Sequence, residues 1–99
     1  MTDEEMKAKG AKFDGGKCRL ELIDPIAEEA MAWVLTYGSY KYTDNSWQKV
    51  DRERYIGAIK RHLNAIQRGE VCDPESGLPH AAHLHCNTMF LCHFGYLIS

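Results

Sequence analysis

Residues 69–79, GEVCDPESGLP, constrain this chain more than any other stretch. Glycine ends a helix readily and proline cannot continue one, so no single helix runs through this string. Helix-length apolar periodicity lies on both sides of it. The chain therefore turns back on itself here, and the fold must contain an antiparallel helical hairpin whose inward side chains near the bend come together.

The remaining helix signals place two more boundaries. Asp24-Pro25 predicts a start, with Asp as cap and Pro at the first helical position. This first helix extends to about Tyr40, and at about 100° per residue Ile26, Ala30, Trp33, Val34 and Tyr37 share a face. Glu29 flanks that face, whereas Glu28 points away. Residues 38–50 form an aromatic, polar loop. Asp51 caps a second helix to about Arg68, with Tyr55, Ala58, Ile59, Leu63 and Ile66 as its apolar stripe and His62 inside that stripe. Pro79 opens a third helix to about Leu97. It is apolar nearly all round, so it is central or covered by a second copy of the chain. Residues 1–11 are expected to be a flexible polar arm, 12–19 (KFDGGKCR) a glycine-centred loop, and 19–23 a short extended piece. The expected fold is all-α: one domain over 12–99, a small bundle of three main helices with a glycine-containing N-terminal loop, completed by oligomerisation.

Composition narrows the function. A chain of 99 residues makes one domain that buries about 60–65% of its unfolded surface, which permits one thin core. The charged start MTDEEMKAKG is no signal peptide, and the apolar run 89–98 is broken by His93 and Gly95 and too short for a bilayer. Cys18, Cys72, Cys86 and Cys92 contain no C-x-x-C pair and are expected to be reduced thiols in a cytoplasmic setting. The net charge is −2, but Lys7, Lys9, Lys12, Lys17 and Arg19 cluster near the start while charge in residues 70–75 is purely acidic. That polarity suits a small anionic ligand bridged by a cation, not a long nucleic-acid track.

The chemistry concentrates at the bend. His62, Glu70, Asp73, Glu75, His80 and His83 fall within 22 residues. His62 lies about 10 Å down its helix from Gly69, and His83 about 6 Å down the next from Pro79, so both imidazoles are expected at one site. His80, His83 and Asn87 follow i, i+3, i+7 spacing and face inward; His85 does not. Imidazole with carboxylate suits a divalent metal and equally suits acid–base work near neutral pH. The plainer alternatives are core histidines bonded to backbone and an Asp-Pro-Glu-Ser-Gly turn, although a turn needs Pro and Gly and not both acids. The candidate catalytic residues are His62, His80, His83 and Asp73, and the candidate metal ligands are Glu29, Glu70, Asp73, Glu75 and His83. In KFDGGKCR, paired glycines with Lys12, Lys17 and Arg19 can contact phosphate, or form a solvated turn; no Walker loop is present. Tyr37 and Trp47, with Tyr40 and Tyr42 nearby, can stack a base or pack in the core. Arg61 and Asn87 complete the substrate-binding set.

Three segments together resemble a phage family: KFDGGKCRLELIDP at 12–25, LTYGSYKYTDNSW at 35–47 and RHLNAIQRGEVCDPESGLPHAAHLHCN at 61–87. The chain is similar to the domain that forms the N-terminal part of dATP/dGTP diphosphohydrolases, itself distantly similar to MazG-type all-α nucleotide pyrophosphohydrolases. The resemblance implies an oligomeric helical fold in the cytoplasm of an infected bacterial host. It also implies cleavage of a purine deoxynucleoside triphosphate to monophosphate and pyrophosphate with Mg2+ or Mn2+. MazG-type enzymes hold metal through E-x-x-E and E-x-x-D. The corresponding strings here are His62-Leu63-Asn64-Ala65 and His80-Ala81-Ala82-His83, so histidines and an alanine stand where carboxylates are expected. Three functions remain open: a nucleotide hydrolase, a non-catalytic protein that sequesters a nucleotide or a cyclic or ADP-ribose-type immune signal, and a structural helical oligomer.

Overall fold

Asp24 caps the first helix as its sequence predicts: its carboxylate accepts from the Ala27 N–H at 3.2 Å, and Pro25 occupies the first turn. The computed structural model describes residues 2, 4, 5 and 17–98, with side chains through residue 95. Helix α1 spans Pro25–Lys41, α2 spans Arg52–Gln67 and α3 spans His80–Ile98, and among the described residues there is no strand. Asp51 caps α2 by accepting from the Glu53 N–H at 3.2 Å. At the other end Gly69 adopts φ +89°, the left-handed conformation that lets its N–H and that of Glu70 fold back onto Ile66 and Ala65 carbonyls. All-α architecture with three main helices is therefore what the sequence pattern specifies. The arm at 1–11 and the loop at 12–16, including Lys12, lie almost wholly outside the described residues.

The hairpin at the bend is closed by backbone bonds. Asp73 N–H donates to the Leu78 carbonyl at 2.8 Å and His80 N–H to that of Val71 at 2.9 Å. Side-chain contacts then run in opposite senses along the pair, His62 meeting His80 near the bend and Tyr55 meeting Phe90 farther away. Helix α1 packs across α3. The core centres on Tyr55, Cys86 and Phe90, with Met31, Val34, Leu35 and Trp47 packed around it.

Three expectations about detail are corrected. Residues 19–23 are not extended: Leu20–Leu22 form a 3-10 turn, in which local bonds to the Arg19 and Leu20 carbonyls satisfy the backbone. The face of α1 is rotated from the expected one. Ile26 (79% exposed) and Trp33 (54%) face outward, while Met31, Val34 and Leu35 meet the core. The stripe of α2 is likewise shifted onto Tyr55, Ala58, Ile59, His62 and Ala65, leaving Leu63 and Ile66 exposed. Both shifts have one cause: α3 is the common partner, and it selects the side on which each neighbour can approach closely. The loop after α1 also contains a second 3-10 turn, Ser46–Lys49, whose Trp47 carbonyl accepts from the Tyr55 hydroxyl.

Cys86 is fully buried, and burial pushes its thiol pKa up to about 12. Cys18, Cys72 and Cys92 are exposed. Native protein treated with a thiol alkylating agent is therefore expected to take label rapidly at these three positions and at Cys86 only after denaturation. Equal labelling of Cys86 in peptide mass spectra of the native protein would contradict this packing. Among the described residues no helix is long and apolar enough to cross a membrane.

Candidate functional site

The inward faces of α2 and α3 carry histidine because the helical spacing puts 62, 80 and 83 on the side where the two helices meet. His62 lies parallel to His83, ring centroids 4.7 Å apart at 7°, and its Nδ1 is 2.8 Å from the Nδ1 of His80. His80 is only 4% exposed, and its Nε2 is 2.6 Å from Glu70 Oε1. A carboxylate at that distance requires a proton on Nε2. His80 in its neutral form then offers Nδ1 as an acceptor, and His62 donates from its own Nδ1. His83 turns its Nε2 to Ser76 Oγ at 2.7 Å.

Asp73 holds the connecting turn from within. Its Oδ1 accepts from the Glu75 N–H at 2.7 Å and the Ser76 N–H at 3.2 Å. Burial works to raise its pKa, but those backbone donors and the nearby His83 and His62 outweigh it and hold the carboxyl below its usual range. One ligand atom from each of His62, Asp73 and His80 lies within 4.8 Å of the other two. Glu75 is turned outward to Lys41 and to the Tyr37 hydroxyl at 3.2 Å, and chiefly the Lys41 ammonium lowers its pKa.

Burial lowers the pKa of both His62 and His83; the mutual proximity of the histidines adds to it, while Asp73 opposes it. Both rings are thus neutral in the fold near pH 7. A histidine whose folded pKa is depressed contributes stability above its unfolded value, about 6.5, and that contribution is lost as pH falls below it. The thermal midpoint of metal-free protein is expected to fall between pH 7.5 and 5.5, and His62→Asn to flatten the decline. An unchanged slope in that variant would sink this account.

Beside the cluster, α1, the 42–47 loop and α3 enclose a cleft of about 880 Å³, within the usual size of small-molecule sites. Tyr37, Lys41, Tyr42, Trp47, His83 and Asn87 line it. It touches the histidine cluster only through His83, whose ring meets Tyr37 edge-on at 6.5 Å. Trp47 is shared with the core, stacked on Phe90 at 4.6 Å, and Asn87 donates to the His83 carbonyl at 2.7 Å.

The structure therefore brings together His62, His80, His83, Asp73 and Glu70, with Tyr37 and Glu75 nearby, while Trp47 and Asn87 line the adjoining cleft. It does not bring Glu29 there; Glu29 is exposed beside Ala32, Trp33 and Thr36 on α1. Lys17 is exposed, and Arg19 pairs with Glu21 at 2.8 Å. Arg61 is exposed on α2, near enough for its charge to depress the His62 pKa. Sequence reasoning misses Lys41 and Ser76: Ser76 reads as part of the turn, and Lys41 stands in a segment predicted to be loop.

A helical hairpin thus sets imidazoles and a carboxylate beside an aromatic-walled cleft in an all-α domain. Over residues 7–96 the chain matches the family described as dATP/dGTP diphosphohydrolase, N-terminal, and it belongs to that family. It is 44% identical over 82 residues to a dATP/dGTP diphosphohydrolase of Salmonella phage PMBT28, a match covering 83% of this chain. The chain spans only 28% of that relative's length. No solved structure matches it.

Proposed function

We propose that this domain binds a purine deoxynucleoside triphosphate in the cleft and cleaves it to the monophosphate and pyrophosphate. The observation that carries this reading is the position of His83, which belongs at once to the cleft wall and to the imidazole–carboxylate cluster, in a chain whose relative is named for that activity. The base would lie against Tyr37, Tyr42 and the exposed edge of Trp47, with Asn87 supplying polar contacts. Lys41 would face the phosphates once Glu75 releases it. Attack by water on the α-phosphorus breaks the bond to the β-phosphate; neutral His83, with Ser76 as its hydrogen-bond partner, would accept the water's proton. The proposed cofactor is Mg2+ or Mn2+, which when bound neutralises phosphate charge. The donors at the cluster are two imidazoles and one carboxylate, a set that suits Mn2+ better than Mg2+.

In the same reading the domain works as a homo-oligomer. Ile26, Trp33 and Tyr40, 79%, 54% and 86% exposed, follow one line along α1 at heptad spacing, a face that a second copy would cover. Sedimentation of wild type and Trp33→Glu is expected to show the variant dissociating; a monomeric wild type would remove this part.

A second reading, sequestration of an intact nucleotide or nucleotide-like signal, is favoured by one observation: the absence of carboxylates from both His62-Leu63-Asn64-Ala65 and His80-Ala81-Ala82-His83. Incubation with dATP, dGTP and cyclic nucleotides, with and without Mg2+ or Mn2+, separates the two. Equal amounts of monophosphate and pyrophosphate, formed on the order of 100-fold more slowly by His83→Ala, support cleavage. Intact ligand released only by heat denaturation would overturn cleavage in favour of sequestration.

A further inference from the structure

We infer that His62, His80 and Asp73 form a site for one divalent transition-metal ion, with Zn2+ held more tightly than Mn2+ and Mg2+ not retained, and that Glu70 is the carboxylate that orients His80 toward it. The inference deepens the proposed reading and rests on it for what the ion does in the cleft; the ligand set itself comes from the hairpin alone.

Three features argue for a built site. The first is convergence: the Nδ1 atoms of His62 and His80 face each other at 2.8 Å, and a ligand atom of Asp73 lies within 4.8 Å of the histidine ligand atoms. Two imidazole nitrogens around a tetrahedral zinc stand about 3.3 Å apart, so opening this pair by a few tenths of an ångström admits an ion in place of the shared proton. The second is orientation. Glu70 Oε1, 2.6 Å from His80 Nε2, keeps the proton on that nitrogen and presents the Nδ1 lone pair. This carboxylate–histidine arrangement is the usual outer support of a metal-bound imidazole. His80 is buried, so its ring cannot swing out to solvent. The third is the fixed carboxylate: the Glu75 and Ser76 N–H groups both bond Asp73 Oδ1, which locks the side chain in place with its Oδ2 as the further donor.

The donor chemistry selects the ion. Mg2+ takes hard oxygen ligands, keeps several waters and is poorly served by two imidazoles. Imidazole with carboxylate favours first-row transition ions, and Zn2+ exceeds Mn2+ for such donors. Glu75 is drawn away by Lys41 and Tyr37, and Glu29 lies on the outer surface of α1. The ligand set therefore differs from the carboxylate-dominated one that the sequence suggested.

The test is direct metal binding by the 99-residue chain without nucleotide. Titration calorimetry with Zn2+, Mn2+ and Mg2+ is expected to give one ion per chain in that order of affinity, with no detectable Mg2+ uptake. His62→Ala and His80→Ala should each weaken Zn2+ binding more than 100-fold, and Glu70→Gln by about 10–100-fold. The histidine variants can unfold, so the wild type is also followed by long-range proton–nitrogen spectra of its imidazoles. Zn2+ should move the Nδ1 resonances of His62 and His80 and leave His85 and His93 in place. Zn2+ that perturbs only other groups, such as the exposed thiols, would overturn the site, as would Mg2+ binding as tightly as Mn2+. Zn2+ bound at these imidazoles, with no nucleotide cleavage in Mn2+ or Mg2+, overturns the proposed activity alone; Mg2+-supported cleavage with these imidazoles unmoved overturns the metal site alone.

Discussion

Phe90→Ala is expected to cost about 3–5 kcal/mol, a large share of what holds a domain of this size together. Phe90 is 8% exposed, stacks on Trp47 at 4.6 Å and meets Tyr55 at 4.7 Å. Its removal takes the shared contact from the α1–α2 loop, from α2 and from α3 together, and a thin core has few other side chains able to fill the space. At about 4–8 °C per kcal/mol for a domain this small, the thermal midpoint should fall by more than about 12 °C. Tyr55→Phe is the informative comparison. It keeps the ring and deletes only the hydroxyl that donates to the Trp47 carbonyl, so a loss of about 1 kcal/mol is expected. Chemical denaturation of the two variants measures both. Equal losses would mean that the hydrogen bond to the loop, and not the aromatic cluster, holds this end of the bundle.

Asp73→Asn is expected to separate the chemistry of the site from its scaffold. The amide oxygen of Asn can take the place of Oδ1 and go on accepting from Glu75 and Ser76, so the turn should keep its shape and stability should change by less than about 1 kcal/mol. The negative charge facing His62 and His83 disappears. In the proposed cleavage reaction this should reduce turnover by about 100-fold or more, while the melting temperature stays close to that of wild type. Asp73→Ala should lose both, because the backbone donors of the turn then have no acceptor. Parallel assays of turnover and melting decide the matter. A melting temperature for Asp73→Asn as low as that of the alanine variant would return Asp73 to a purely structural role.

The contrast between these two variants reflects what a sequence can carry. Asp24, Asp51 and Gly69 act within a few residues of themselves, so caps and stops are written locally, and the helix limits follow from them to within a residue or two. His62, His80 and His83 were legible as one site for a related reason. The hairpin is short, and helical rise alone brings equal distances from the bend to equal height. Trp33 shows the opposite case. Its bulk and apolarity mark it for burial, yet it stands 54% exposed, because which side of α1 meets α3 depends on a partner distant in sequence. The phosphate-binding role expected of Lys12 lies outside the described residues, and Glu29, expected as a metal ligand, stands exposed on α1.

The all-α class, the three main helices, the hairpin at 69–79 and the clustering of imidazoles with Asp73 follow from short-range backbone chemistry and helical repeat, and so are written in the amino-acid order. The division of labour among the acids comes instead from packing between distant segments. Glu70 supports His80 from behind, Asp73 points into the cluster while capping its own turn, and Glu75 is drawn off by Lys41 and Tyr37. Glu70, Asp73 and Glu75 all fall within six consecutive residues, and nothing in that spacing distinguishes them. The positions of α1 and α3 around the turn give each carboxylate a different partner, and with it a different chemistry.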